Sequence, residues 1–110
     1  MTSHEMREYR TASGKIPFRE WLEGLSDIHA RARIRFRLRK FSLGHAGDIE
    51  PVGAGVYELR FHFGPGYRIY FGYYDRAFVL LLCGGDKSSQ SKDIRRAQEY
   101  WQDFLRRKDK

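Results

Sequence analysis

Five side chains between positions 57 and 88 have the types that handle a phosphodiester: Arg60, His62, Arg68, Tyr70 and Lys87. Guanidinium forks clamp phosphate oxygens in pairs, a lysine adds a compact positive charge, and a tyrosine ring stacks on a base. Their spacing places them together. Tyr57, Leu59, Phe61 and Phe63 alternate with Glu58, Arg60 and His62, so the polar three share one face of a strand, and Arg68, Tyr70 and Tyr74 share a face of the next. Lys87 follows the flexible pair Gly84-Gly85 at the end of an apolar run. Taken singly, each has an ordinary explanation: Arg60 pairs with Glu58 or another carboxylate on a solvated face, and Tyr70 covers an edge of the core. Taken together, they form a concave phosphate-binding surface where rings can stack on bases.

Other chemistries find less support. His4, His29, His45 and His62 have neither His-Glu-x-x-His nor any paired spacing, so no metal site is expected. Gly85-Asp86-Lys87-Ser88 has Asp86 where a phosphate-binding loop needs its second glycine, and no Gly-x-Ser-x-Gly elbow is present. No cofactor is implied. Cys83 is the only cysteine, which excludes an intramolecular disulfide and suits a small core residue in a reducing cytoplasm.

Charge adds a second clue. The chain carries 21 Lys and Arg against 14 Asp and Glu, a formal +7. Arg31, Arg33, Arg35, Arg37, Arg39 and Lys40 lie in the window 28–47, which contains no acidic residue, and the rest of the chain is nearly neutral. Such bunched charge attracts polyanions by counterion release. Arg33, Arg37 and Lys40 are therefore candidates for holding RNA or an acidic protein partner.

The elements that must position these groups fit one domain, 1–110. With 110 residues, 41% hydrophobic and 15% aromatic, the chain can close one aromatic-rich core. The start has no apolar run behind its charges and 77–83 is too short to span a bilayer, so neither signal peptide nor membrane segment is expected. A short strand over 5–11 opens the chain. Pro17 then suits the first position of a helix whose Phe18, Trp21, Leu22 and Leu25 fall at i, i+3, i+4 and i+7. Ser26 or Asp27 caps the next segment, where 31–39 alternates like a strand. Helix propensity and the stripe Ala30, Ile34, Leu38, Phe41 favour a helix over 27–43, ended by Gly44, with a loop over 45–51. A hairpin follows, turning at Gly64-Pro65-Gly66, and then an all-apolar strand over 77–83 suited to the middle of a sheet. Ser89 or Ser91 caps a final helix with Ile94, Ala97, Trp101, Phe104 and Leu105 on its buried stripe. The expected class is α+β in the order β-α-α-β-β-β-α.

The segments Pro17-Phe18-Arg19-Glu20-Trp21-Leu22, Val52-Gly53-Ala54-Gly55-Val56-Tyr57-Glu58-Leu59-Arg60, Gly64-Pro65-Gly66-Tyr67-Arg68-Ile69-Tyr70-Phe71 and Leu80-Leu81-Leu82-Cys83-Gly84-Gly85-Asp86-Lys87-Ser88-Ser89-Gln90 carry a resemblance. From about Tyr9 to Trp101 the chain resembles the HigB-like, phage-associated addiction-module killer proteins of the RelE/ParE toxin superfamily. The resemblance implies a RelE-like fold, an antiparallel sheet packed against helices.

For function, it implies the toxin of a type II toxin-antitoxin module, a cytoplasmic endoribonuclease (mRNA interferase) that cuts messenger RNA at the ribosome and is masked by a helix-turn-helix antitoxin. Superfamily members of the ParE type instead poison DNA gyrase on the same fold, and loss of catalysis would leave an antitoxin-binding homologue. Ribonucleolytic members carry basic side chains on the central strands and near the end of the last one, which Arg60, Arg68 and Lys87 match. Their chemistry needs no metal. The ribose 2′-hydroxyl attacks the adjacent phosphorus, and the protein removes that proton, stabilises the phosphorane and protonates the leaving 5′-oxygen. His62, the hairpin's only histidine, could move a proton near neutral pH or be an exposed strand residue. Many relatives keep a tyrosine or histidine close to the chain end beyond the last strand, whereas this chain continues into a helix.

Overall fold

A computed structural model describes residues 3–108. Its elements run β1 (Glu5–Glu8), α1 (Pro17–Glu23), α2 (Ile28–Ser42), β2 (Ile49–Gly53), β3 (Val56–Arg60), β4 (Arg68–Tyr74), β5 (Phe78–Gly85) and α3 (Gln90–Lys108), with a 3-10 turn Lys87–Ser89 leading into α3. The strands form one sheet in the order β1-β5-β4-β3-β2; β1 pairs with β5 in parallel and every other pair is antiparallel. The class is α+β, with a mostly antiparallel sheet covered by helices on both faces.

Local chemistry explains the helix starts. Pro17 begins α1, and the Asp27 carboxylate caps α2 by accepting from the backbone N–H groups of His29 and Ala30 at 3.0 and 3.1 Å. Ala30, Ile34 and Phe41 of α2 are buried with Phe18 and Leu22 of α1 against Leu59, Ile69, Phe71, Val79 and Leu81 of the sheet. On the opposite face Ala97 and Trp101 of α3 pack on Val56, Tyr70, Leu80, Leu82 and Cys83. The two faces explain why β5 is buried at every position.

Four expectations need correction. The opening strand stops at Glu8, short of position 11. The loop expected over 45–51 contains the start of β2, which adds a strand to the anticipated order. β2 is a sheet edge, where Pro51 removes no ladder hydrogen bond that the sheet needs. Its turn to β3 places Ala54 and Gly55 at φ 56° and 84°, the left-handed pair of a tight hairpin. Gly84 and Gly85 extend β5 rather than ending it flexibly: a Cβ on Gly84 would lie 2.2 Å from the Trp21 ring, and one on Gly85 1.8 Å from Asp93 Oδ2. Asp86 caps the 3-10 turn that leads into the last helix, its carboxylate accepting from Ser88 N–H at 2.9 Å, and Ser89, one of the two serines expected to cap that helix, takes part by accepting from the Asp86 N–H at 3.4 Å; Ser91 lies inside α3.

Candidate anion-binding site

Strands β3, β4 and β5 end level with one another. Arg60 lies opposite Arg68, and Arg68 opposite Gly85, so Lys87 leaves the third strand end two residues later. The Lys87 backbone N–H donates to Pro65 O at 3.4 Å, and a Cβ on Gly66 would sit 3.4 Å from the Lys87 Cβ, which ties the lysine stem to the β3–β4 turn. Neighbouring strands are about 4.8 Å apart, so Arg60, Arg68 and Gly85 span about 10 Å of sheet, and Lys87 follows two residues beyond.

One row further in, the sheet buries a carboxylate. Glu58 is 0% exposed and lies opposite Tyr70, on the face covered by α3. It accepts from Tyr70 Oη at 2.9 Å, Gln90 Nε2 at 2.8 Å and Arg60 Nε at 3.0 Å. Burial pushes the Glu58 carboxyl up, but the hydrogen bonds from Arg60, Gln90 and Tyr70 and the nearby Arg68 charge together hold it below the ordinary glutamate value. Burial, followed by the bond to Glu58, pushes the Tyr70 phenol far above its usual range. Glu58 is a hub that fixes Arg60 from one side, with its charge already engaged by three donors. Arg68, only 8% exposed, keeps a buried Nε with no hydrogen-bond partner. The cluster sets Arg60, Arg68 and Lys87 beside two buried carboxylates, Glu58 and, against Gly85, Asp93, and the side chains that reach solvent from it, Lys87 and part of Arg60, are cationic and suited to meet an anion.

The sequence-predicted residues divide on this geometry. Arg60, Arg68 and Lys87 come together; Lys87 is exposed and Arg60 partly so. Tyr70 does not serve as an RNA stacking surface: at 0% exposure neither ring face reaches solvent, because α3 covers that side of the sheet. His62 lies past the end of β3, pairs with Asp48 at 2.6 Å and lines a groove against α2 to which Arg60, Arg68 and Lys87 do not contribute. Arg37 is also corrected. Its guanidinium donates to the carbonyls of Arg60, Ala46 (3.3 Å) and Asp48 (3.4 Å), and it lies 4.6 Å from the Phe61 ring centroid. It therefore fastens the 46–48 loop and β3 to α2 and is not free to hold a polyanion. Arg33 and Lys40 remain exposed. Among the described residues no three His, Cys, Asp or Glu side chains come together in a way that could hold a metal ion.

Gln90 is the member of this cluster that residue types did not reveal, since nothing in sequence separates a helix-start glutamine that reaches a buried carboxylate from one that faces water. Glu58 carried a readable signal, because the short Gly-Pro-Gly turn sets the register that places it opposite Tyr70.

The fold defines an α+β protein with a mostly antiparallel five-stranded sheet, and the cluster at the end of that sheet is a candidate site for an anion. No family model matches the chain. Over 83 residues it is 43% identical to an uncharacterized protein of Haemophilus influenzae, a match that covers 76% of this chain and 84% of that one. The chain belongs to the family of that protein.

Proposed function

We propose that this protein is the toxin of a type II toxin-antitoxin module with a RelE-like fold, a metal-independent endoribonuclease of the cytoplasm that cuts messenger RNA on the ribosome. The observation that carries this reading is the convergence of Arg60, Arg68 and Lys87 at the level ends of three adjacent strands, where the buried Arg68 Nε has no protein partner. A phosphodiester fits the exposed Lys87 ammonium and the solvent-facing part of the Arg60 guanidinium in charge and in hydrogen-bonding capacity. In the proposed step the ribose 2′-oxygen attacks the adjacent phosphorus, a 2′,3′-cyclic phosphate forms, and the 5′-oxygen leaves with a proton. Arg60 and Lys87 face the phosphorane oxygens, Arg68 supports them from below, and Glu58 fixes the direction of Arg60. Neither Glu58, held by three donors below its ordinary value, nor Tyr70, pushed far above its own, is suited to exchange protons at neutral pH. The cluster's contribution is therefore electrostatic, and a helix-turn-helix antitoxin is the partner that would mask it. No helix among the described residues is long and apolar enough to cross a membrane.

One observation favours a second reading. The Arg60 Nε is engaged by buried Glu58 and most of Arg68 is enclosed, which is how cations look when they brace a scaffold that inhibits by binding, as for a gyrase poison or a non-catalytic antitoxin-binding homologue. Induction without an antitoxin distinguishes the readings. The ribonuclease proposal expects growth arrest with discrete new 5′ ends on translated messages by primer extension. Gyrase poisoning would leave messages intact and produce double-strand breaks and relaxed plasmid.

A further inference from the structure

Helix α2 has two apolar stripes on opposite sides. Ala30, Ile34 and Phe41 face the core, whereas Ile28, Ala32 and Phe36, four residues apart, run along the outer side and continue to Leu43 at the helix end. Ile28 is 61% exposed, Phe36 64% and Leu43 57%, and these are the large hydrophobic side chains that stand exposed among the described residues. Scattered singly, such residues need no explanation, but three on one stripe of one helix do. The stripe is flanked by Arg35 and Arg39 on one side and by Arg33 and Lys40 on the other, all exposed. Its inner border opens into a groove of about 550 Å³ between α2 and the segment Phe61, His62 and Phe63, where the Arg33 guanidinium lies 3.7 Å from the Phe63 ring centroid.

We infer that this stripe and groove are the docking surface for an amphipathic, acidic helix of a protein partner, which seats apolar side chains on Ile28, Phe36 and Leu43 and places carboxylates against the arginine and lysine borders. Charge decides the occupant. The window 28–47 contains no acidic residue, so a second copy docked stripe to stripe would oppose cation with cation. A nucleic acid would satisfy the borders but leave Ile28 and Leu43 against phosphate and water, whereas an apolar stripe at i, i+4, i+8 is the pattern a helix-in-groove contact buries. This inference rests on exposure and charge and stands independently of the RNA-cleavage reading.

The test uses the full chain to select binders from a displayed library of helical peptides randomised at apolar and flanking positions. The expected result is enrichment of peptides with large apolar residues spaced i, i+4 and i+7 or i+8 and with Asp or Glu beside them. By fluorescence anisotropy, the best peptide should lose at least about tenfold in affinity on Phe36→Ser or Ile28→Ser and on Arg35→Glu with Arg39→Glu, with each variant still folded by circular dichroism because these side chains are exposed. No enrichment, selection of basic or neutral peptides, or indifference to Phe36→Ser would overturn the inference. So would a dimer in sedimentation that Phe36→Ser abolishes, or a uridine oligonucleotide whose binding depends on Phe36 and Ile28.

Discussion

Replacing Glu58 with glutamine isolates the buried hub, because it removes the charge and one acceptor while keeping shape. The carboxylate serves three donors through two oxygens, and the Tyr70 hydroxyl is enclosed with it. An amide has one acceptor oxygen and turns its own N–H groups toward a donor, so at least one of the three donors loses its partner: Arg60 if the amide oxygen keeps Tyr70 and Gln90, or those two if it keeps Arg60. An orphaned buried donor costs about 1–3 kcal/mol, and the bonds that survive lose their charge assistance; release of a buried ion offsets part of this. The expected net loss is about 2–3 kcal/mol, or about 10 °C in melting temperature for a domain of this size. The pH dependence has a definite sign. Since the folded Glu58 carboxyl lies below the ordinary value, its stabilisation is complete above the unfolded value of about 4.3 and is lost as pH falls through the lower folded one. Urea titrations from pH 7 down to pH 2 should show wild type losing more stability than Glu58→Gln, and Tyr70→Phe should cost less in the Glu58→Gln background than in wild type. A loss under about 1 kcal/mol with an unaltered acid limb would refute the hub.

Arg37→Ala should cost about 2 kcal/mol in urea unfolding, because the carbonyls of Ala46, Asp48 and Arg60 lose a shared donor, while Arg39→Ala on the exposed side of the same helix should stay within about 0.5 kcal/mol. Tyr9 should ionise late. Burial, together with its hydrogen bond to Asp103, pushes its phenol up to about 12, so its contribution to stability is intact below about pH 10 and is lost as pH rises through the folded value; ultraviolet titration of wild type against Tyr9→Phe reads the missing tyrosinate step.

The elements were legible wherever a local rule acted alone. Pro17 and Asp27 mark helix starts by their own backbone chemistry, and Ala30, Ile34 and Phe41 mark the inner face of α2. The strand-like alternation over 31–39 has a physical source in the finished helix, since Ile34 and Leu38 point inward and Ala32 and Phe36 outward, with arginines between the two stripes. What failed was tertiary. Pro51 reads as a strand breaker until the strand is known to be an edge, and Gly84-Gly85 reads as a flexible stop until Trp21 and Asp93 are seen pressed against it. At the site, period two correctly placed Glu58, Arg60 and Tyr70 toward one side of the hairpin. A period cannot say that α3 covers that side, and this cover is what turns Tyr70 from a stacking surface into a buried donor and Glu58 from a surface charge into the hub.

Cleavage of a ribosome-bound message by the purified protein in excess chelator, mapped at nucleotide resolution, tests the central claim most directly. Lys87→Ala is the cleanest variant, since its side chain is exposed and its loss should leave the melting temperature near wild type, whereas Arg60→Ala strips a charged donor from buried Glu58 and Arg68→Ala removes an enclosed side chain, and both should lower it, so their rates are read on protein shown to be folded. The account predicts cleavage by wild type with chelator present and a fall of at least about a hundredfold in rate for Arg60→Ala and for Lys87→Ala at saturating message. Undiminished cleavage by both variants, a strict metal requirement, or no cleavage by folded wild type would contradict it.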